Sequence, residues 1–295
     1  DLSIPEAIAK GLSIYLLFSI GYKGGVEVAA AGLDLRLAFG LLAGVGLSAL
    51  LPLLAFALLR LMTPLSVVDA AAVAGHYGSI SIVTFVAAGA LLRSQGVDYE
   101  GWLVAVAAVM EAPAILTALW LARSRQSPAL AAAQVPFREV ALNGSIVLLL
   151  GAFVIGWATG PQGLADLEGF LVAPFKGVLC LFLLDMGLVA GRNLLRSRAS
   201  LTVPVVGFGI LMPLIGGSLG LGTGWLLDLS TGGMAILATL SASASYIAVP
   251  AAMRVALPAA NPAIYLSLAL GVTFPFNLAV GITLYLGAAK WISGA

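Results

Sequence analysis

Charge is scarce in this chain. Asp, Glu, Lys and Arg make up 9% of its 295 residues while hydrophobic residues make up 61%, and the mean hydropathy is +1.09. A water-soluble domain covers itself with far more charge, so a soluble fold is excluded and lipid is the solvent of the outer surface. A formal net charge of +1 argues against nucleic acid, which needs a clustered basic face. The lone Cys180 cannot close an internal disulfide and carries no information about compartment. Histidine is equally scarce: His76 stands alone, which excludes paired histidines for a metal and the H-E-x-x-H motif. His76 lies three residues before Ser79, superficially a base and a nucleophile, but the chain is not expected to be an enzyme.

Long apolar runs are what the sequence has in plenty. Hydrocarbon about 30 Å thick takes roughly 20 apolar residues per helix. On that rule the chain is an all-α polytopic membrane protein with spans near 5–22, 35–60, 66–92, 101–122, 139–159, 169–191, 200–227, 232–256 and 262–290. Thirty-five glycines suit it, because small residues let membrane helices approach closely. The longest polar connection, Arg123 to Arg138, divides the chain into two halves, 1–138 and 139–295.

Two spans are interrupted near mid-membrane, by Gly75-His76-Tyr77-Gly78-Ser79-Ile80-Ser81 and by Ser241-Ala242-Ser243-Ala244-Ser245-Tyr246. An offset of 166 residues places Ser79 on Ser245 and Val83 on Val249, and likewise Gly21 and Gly25 on Gly187 and Gly191. Pro113 pairs with Pro275 at an offset of 162. Spans one to four thus answer to six to nine, and the fifth lacks a partner, which predicts a further helix ahead of Asp1. Basic residues sort to one set of loops (Arg60, Arg123, Arg125, Arg138, Arg192, Arg196, Arg198, Arg254), and Lys23, Arg36, Arg93 and Lys290 lie among acids on the other. The Arg-rich side is then cytoplasmic. Two five-helix repeats entering from opposite faces make the inverted arrangement of many carriers, with the gate and core bundles each drawing on both repeats.

Broken spans survive in lipid only where protein, water or ligand takes up the freed backbone groups. Small residues also serve close helix packing, the bland account of a single G-x-x-G stretch. The paired location favours a site. Half-helix N-termini present N–H donors to an anion, which nominates Gly78, Ser79, Ser81, Ser243, Ser245 and Tyr246 for substrate. Hydroxyls, carbonyls and mid-span polar groups nominate Thr84, Glu111, Ser241, Thr273 and Asn277 for sodium. Glu111 is the alternative of a cation site, a proton site or a protonated acid bonded to a neighbouring helix. Asp69 is expected to serve a helix start, His76 to be packed or to sense pH, and Lys23 to reach the membrane surface. Lys176 and Asp185 are too far apart for an intrahelical pair.

Several of these strings together resemble the sodium-dependent bicarbonate transporter family known from cyanobacterial carbon concentration: Pro5-Glu6-Ala7-Ile8, the Gly21 to Gly25 turn, Gly75-His76-Tyr77-Gly78, Asp98-Tyr99-Glu100, Ser243-Ala244-Ser245-Tyr246-Ile247-Ala248-Val249-Pro250 and Arg254 to Pro262. The resemblance implies ten helices in two inverted repeats, crossed broken helices at spans three and eight, homotrimers in a bacterial plasma membrane, and sodium-coupled import of bicarbonate. It departs at Ile82-Val83, where the cyanobacterial motif has a Gly-Ser pair, and at Tyr246, where that motif has an aspartate; Glu111 is kept. The cytoplasmic loop is shorter than in the cyanobacterial members, which argues against their PII-like regulator. The expected function is a symporter for a small monoanion, with an organic monocarboxylate carrier or an anion channel as alternatives.

Overall fold

The computed structural model describes residues 4–32, 35–124, 144–196, 201–247, 249–250, 252–253 and 257–294. Every regular element among them is helical: α1 (Glu6–Ala31), α2 (Leu35–Met62), α3 (Val67–Gly78), α4 (Ile82–Ser94), α5 (Leu103–Val109), α6 (Glu111–Ser124), α7 (Gly144–Asp166), α8 (Glu168–Leu171), α9 (Phe175–Arg196), α10 (Val203–Leu226) and α11 (Thr231–Ala242). The last, α12 (Pro262–Ser293), widens into π-type turns at Ala269–Thr273 and Asn277–Gly281 on either side of Pro275, whose missing N–H interrupts the ordinary ladder. The boundary between the halves, and Arg125, Arg138, Arg198 and Arg254, lie outside the described residues.

Five stretches are long and apolar enough to cross a membrane: Leu35–Met62, Val67–Ser94, Leu103–Ala122, Val203–Leu226 and Pro262–Ser293. Their exposure differs, and the difference places them. Within its most apolar window Leu35–Met62 is 39% buried in the protein, while Val67–Ser94 is 94% buried, so the broken span runs through the centre and α2 meets lipid. Leu42, Leu61, Trp225 and Trp291 point outward from the bundle, as an apolar solvent allows.

Span boundaries shift where packing overrides composition. α1 continues past the expected end at residue 22 to Ala31, so Gly21 to Gly25 form no turn. Its glycines explain why: a side chain at Gly25 would overlap the Phe153 carbonyl oxygen of α7, so the two helices meet backbone to backbone. Tyr22 donates to Thr159 Oγ1 at 2.5 Å across this contact, since the threonine's own proton goes to Ile155 O. Lys23 is half-buried rather than at the surface, its ammonium 4.2 Å above the Phe175 ring.

The loops that the charge pattern assigned to one face come together in space. Arg36 pairs with Asp228 at 3.3 Å, Lys290 donates to Gln95, and Glu100 receives both the N–H and the hydroxyl of Ser230 at 2.8 and 3.0 Å. On the other face Ser66 and Asp69 cap α3 reciprocally, and Asn261 N–H donates to Asp69 at 2.8 Å. Asp69 therefore serves helix starts, as expected.

Gly25→Val should separate α1 from α7 and cost about 2 kcal/mol or more, the range for overpacked cores. Gly46→Ala, which meets nothing within 4 Å, should leave the thermal midpoint of the purified protein unchanged or slightly raised.

Candidate functional site

Serine caps delimit both breaks. α3 starts at N-cap Ser66 and ends at Ser79; α11 starts at N-cap Ser230 and ends at Ser243, and each helix is 12 residues long. Ser66 accepts from Asp69 N–H, Ser230 from Gly233 N–H, and the two C-cap serines share extended backbone (ψ 172° and 162°). Matched by their caps, the segments lie 164 residues apart, so Ser79 answers to Ser243 and Ser81 to Ser245. Residue identities at an offset of 166 instead pair Ser79 with Ser245, because serine recurs at alternate positions in the second break. The breaks are also narrower than expected. Gly75 to Gly78 remain helical, as do Ser241 and Ala242.

The two interruptions meet and satisfy one another. Ser245 N–H donates to His76 O at 2.8 Å, and His76 Nδ1 donates to Ser245 O at 2.5 Å, so one peptide segment clasps one residue from both sides. Because the carbonyl can only accept, Nδ1 carries the proton. Ser81 N–H donates to Ser243 Oγ at 2.9 Å, and that hydroxyl donates onward to Leu240 O at 2.8 Å. Ser81 Oγ then caps α4, accepting from Thr84 N–H at 3.2 Å and from the Thr84 hydroxyl at 2.9 Å. Ser245 Oγ takes the same posture 3.5 Å from Val249 N. Of the first N–H groups of α4, Thr84 is thus taken by its cap, while Ile82 and Val83 have no partner within the helix.

Mid-span polar residues brace the breaks from the following helices. Ser79 donates to Glu111 Oε2 at 2.7 Å, and Asn277 Nδ2 donates to Ala242 O, at the end of α11, at 2.9 Å. Tyr285 lies within 3.1 Å of Asn277 Oδ1 and 3.2 Å of Pro213 O, and its one proton serves one of them at a time. Thr273 donates to Gly209 O at 2.7 Å, so the 2.6 Å contact with Tyr77 is a bond that Tyr77 donates. That pair ties α3, α10 and α12 together. Ser48 receives Ala114 N–H and donates to Met110 O where α5 gives way to α6.

The substrate candidates Ser79, Ser81, Ser243, Ser245 and Tyr246 share this crossing. Gly78 closes α3 with Pro52 and the Ser48 backbone pressed against its Cα, leaving no space for a side chain. The sodium candidates take different partners: Thr84 bonds to Ser81, Glu111 to Ser79, Asn277 to Ala242 O, and Thr273 to Tyr77 and Gly209. Sequence reasoning missed Tyr77, Tyr285 and Ser48 as braces; their signal, a polar residue within an apolar span, was present. It also passed over Gly216-Gly217-Ser218-Leu219-Gly220, which spells a nucleophile elbow. Those residues are interior to α10, with Ser218 bonded to Leu214 O, and lack the strand-to-helix turn that the motif needs.

Three buried polar atoms near the crossing have no hydrogen-bond partner among the described residues: His76 Nε2, Ser241 Oγ and the Tyr246 hydroxyl. Buried polar groups are rarely left so, and a binding role accounts for such exceptions. The His76 ring stacks on Tyr265 at 4.7 Å and Tyr246 packs edge-on to Phe274 at 5.4 Å, so both polar atoms are held by rigid rings. Glu111 is buried, and Arg36 with Asp228 is the only ion pair among the described residues. A carboxyl group so placed is stable when protonated or when a cation lies against it.

Ser243→Ala should leave the buried Ser81 N–H unpaired and cost about 1–3 kcal/mol, read as a lower thermal midpoint. Ser241→Ala, which breaks no bond, should leave the midpoint unchanged.

A comparison with curated proteins finds no match. A family profile described as the Na+-dependent bicarbonate transporter superfamily matches residues 1–290. Together with the apolar spans and the paired helix breaks, that match makes this chain a multi-pass membrane protein belonging to the Na+-dependent bicarbonate transporter superfamily.

Proposed function

We propose that the chain is a sodium-coupled symporter of a small monoanion, with bicarbonate the first candidate. The observation that carries the reading is the buried crossing of two serine-capped breaks, with polar atoms of His76, Ser241 and Tyr246 left without partners. The two halves act as inverted repeats, and the bundle holding the crossing moves against α1, α7 and α9 to expose it to each side in turn. The resemblance further supports a homotrimer in a bacterial plasma membrane.

In this mechanism the anion sits at the N-terminus of α4. The N–H groups of Ile82 and Val83 donate to it, aided by the positive end of the helix dipole, and the Tyr246 hydroxyl supplies a further donor. Replacing a Gly-Ser pair by Ile82-Val83 removes a hydroxyl but keeps both backbone donors. Tyr246 in place of an aspartate removes a negative charge and adds a donor, which favours the anion at that corner and leaves the cation to Glu111. Sodium beside Glu111 and Ser79 then neutralises the buried carboxylate. Thr273 acts as a strut, its proton given to Gly209 O and its oxygen accepting from Tyr77.

Driving force follows from stoichiometry. One sodium per monoanion is electroneutral and draws on the sodium gradient alone, with each tenfold worth about 1.4 kcal/mol.

Uptake of labelled bicarbonate into proteoliposomes, with carbonic anhydrase controls for CO2 leakage, should saturate and should require an inward sodium gradient. Uptake without sodium dependence sinks the symport reading, and stronger competition by a short organic acid than by unlabelled bicarbonate reassigns the substrate. Glu111→Gln should raise half-saturating sodium about tenfold, a loss of about 1.4 kcal/mol, in protein that still folds. Tyr246→Phe should instead raise the KM for the anion and leave half-saturating sodium where it was.

A further inference from the structure

A cavity opens along α4, beside the crossing. It has a volume of about 520 Å³ and lies between α1, α4, α5, α7 and the start of α9. Three cationic side chains line it, Lys23, Arg93 and Lys176, and among the described side chains no carboxylate does. Its walls are apolar and include Phe85 and Phe175. Phe85 belongs to the first turn of α4, just after the Ser81 cap, and Arg93 to its last, so the cavity extends along the helix from near the crossing towards the end of the bundle.

None of the three cations is neutralised by an acid within the described residues, where Arg36 and Asp228 form the only ion pair. The Lys23 ammonium is held over the Phe175 ring at 4.2 Å, and Arg93 donates to the Tyr99 hydroxyl at 3.2 Å. Lys23 and Arg93 are therefore positioned by aromatic residues, and an anion entering the cavity breaks no ion pair among the described residues. Low-dielectric walls around charges of one sign focus their field on the space between them.

We propose that this cavity is a second anion site that binds an organic monocarboxylate with an apolar body, such as an arylalkanoate. Its volume falls within the range of pockets that enclose drug-sized ligands, ~300–1,000 Å³, far more than bicarbonate with its four heavy atoms fills. The carboxylate lies among Lys23, Arg93 and Lys176, and the apolar body rests against Phe85 and Phe175. Because α1, α7 and α9 form one side of the cavity and α4 and α5 the other, the bound acid bridges the two bundles and holds them apart. That last consequence rests on the transport reading; the binding does not.

Calorimetry on the full-length protein in phosphatidylcholine nanodiscs at low salt tests the site with 4-phenylbutyrate. Saturable binding is expected, with the neutral 4-phenylbutyramide much weaker and with Lys23→Gln and Lys176→Gln each weakening the acid about tenfold. Ser81→Ala, which alters the crossing, should impair bicarbonate uptake but leave phenylbutyrate affinity intact, so failure of the transport reading and failure of this site are distinguishable. Lys176 is exposed, so its variant folds even if Lys23→Gln does not. Equal binding of acid and amide, or unchanged affinity in the Lys176→Gln protein, overturns the proposal. Loss of binding on adding phosphatidylglycerol to the discs also overturns it, because the cavity then belongs to an anionic lipid headgroup.

Discussion

Everything in this structure depends on a backbone that is broken inside hydrocarbon and yet left with few unpaired groups. An N–H or C=O without a partner there costs several kcal/mol, and here each break supplies partners to the other. The Ser245 peptide grips His76 through two bonds, and Ser81 N–H finds Ser243 Oγ. Neither break would be stable alone, which is why the broken span Val67–Ser94 is enclosed by the rest of the bundle while α2 takes the lipid face.

Mutual satisfaction is incomplete, and the remainder marks the candidate site. Two backbone donors at the start of α4 have no partner within their helix, and side-chain atoms of His76, Ser241 and Tyr246 have none among the described residues. Donors at a helix N-terminus suit an anion, and a buried carboxyl group at Glu111 suits a cation. In the proposed symport, holding both ions where two half-helices meet would couple them through a shared space, without any need for a long pathway between separate sites.

Much of this was legible in the sequence, because the features depend on residue type and spacing. Apolar runs located the five long spans, serines and glycines located both breaks, and Asp69 declared itself as a capping residue. The matching of the two breaks was not legible to the residue: identities suggested an offset of 166, whereas the helix caps align at 164. Nor was the continuation of α1 through Gly21 to Gly25, since those glycines read as a turn until Phe153 is found against Gly25. The hydrogen-bond partners of the mid-span polar residues were not legible either. Composition places Thr273 and Asn277 at mid-span, but only the packing reveals that Tyr77 and Gly209 occupy the one and Ala242 O the other.

Reciprocal linkage is the direct test of a shared crossing. Bicarbonate affinity would be measured on the purified full-length protein at low and saturating sodium, and sodium affinity at low and saturating bicarbonate. The account predicts that each ion tightens the other by the same factor, since coupling free energy is symmetric for binding. Saturable binding of both ions with affinities that ignore one another would contradict it, and would mean that the two helix breaks do not bring anion and cation to one place.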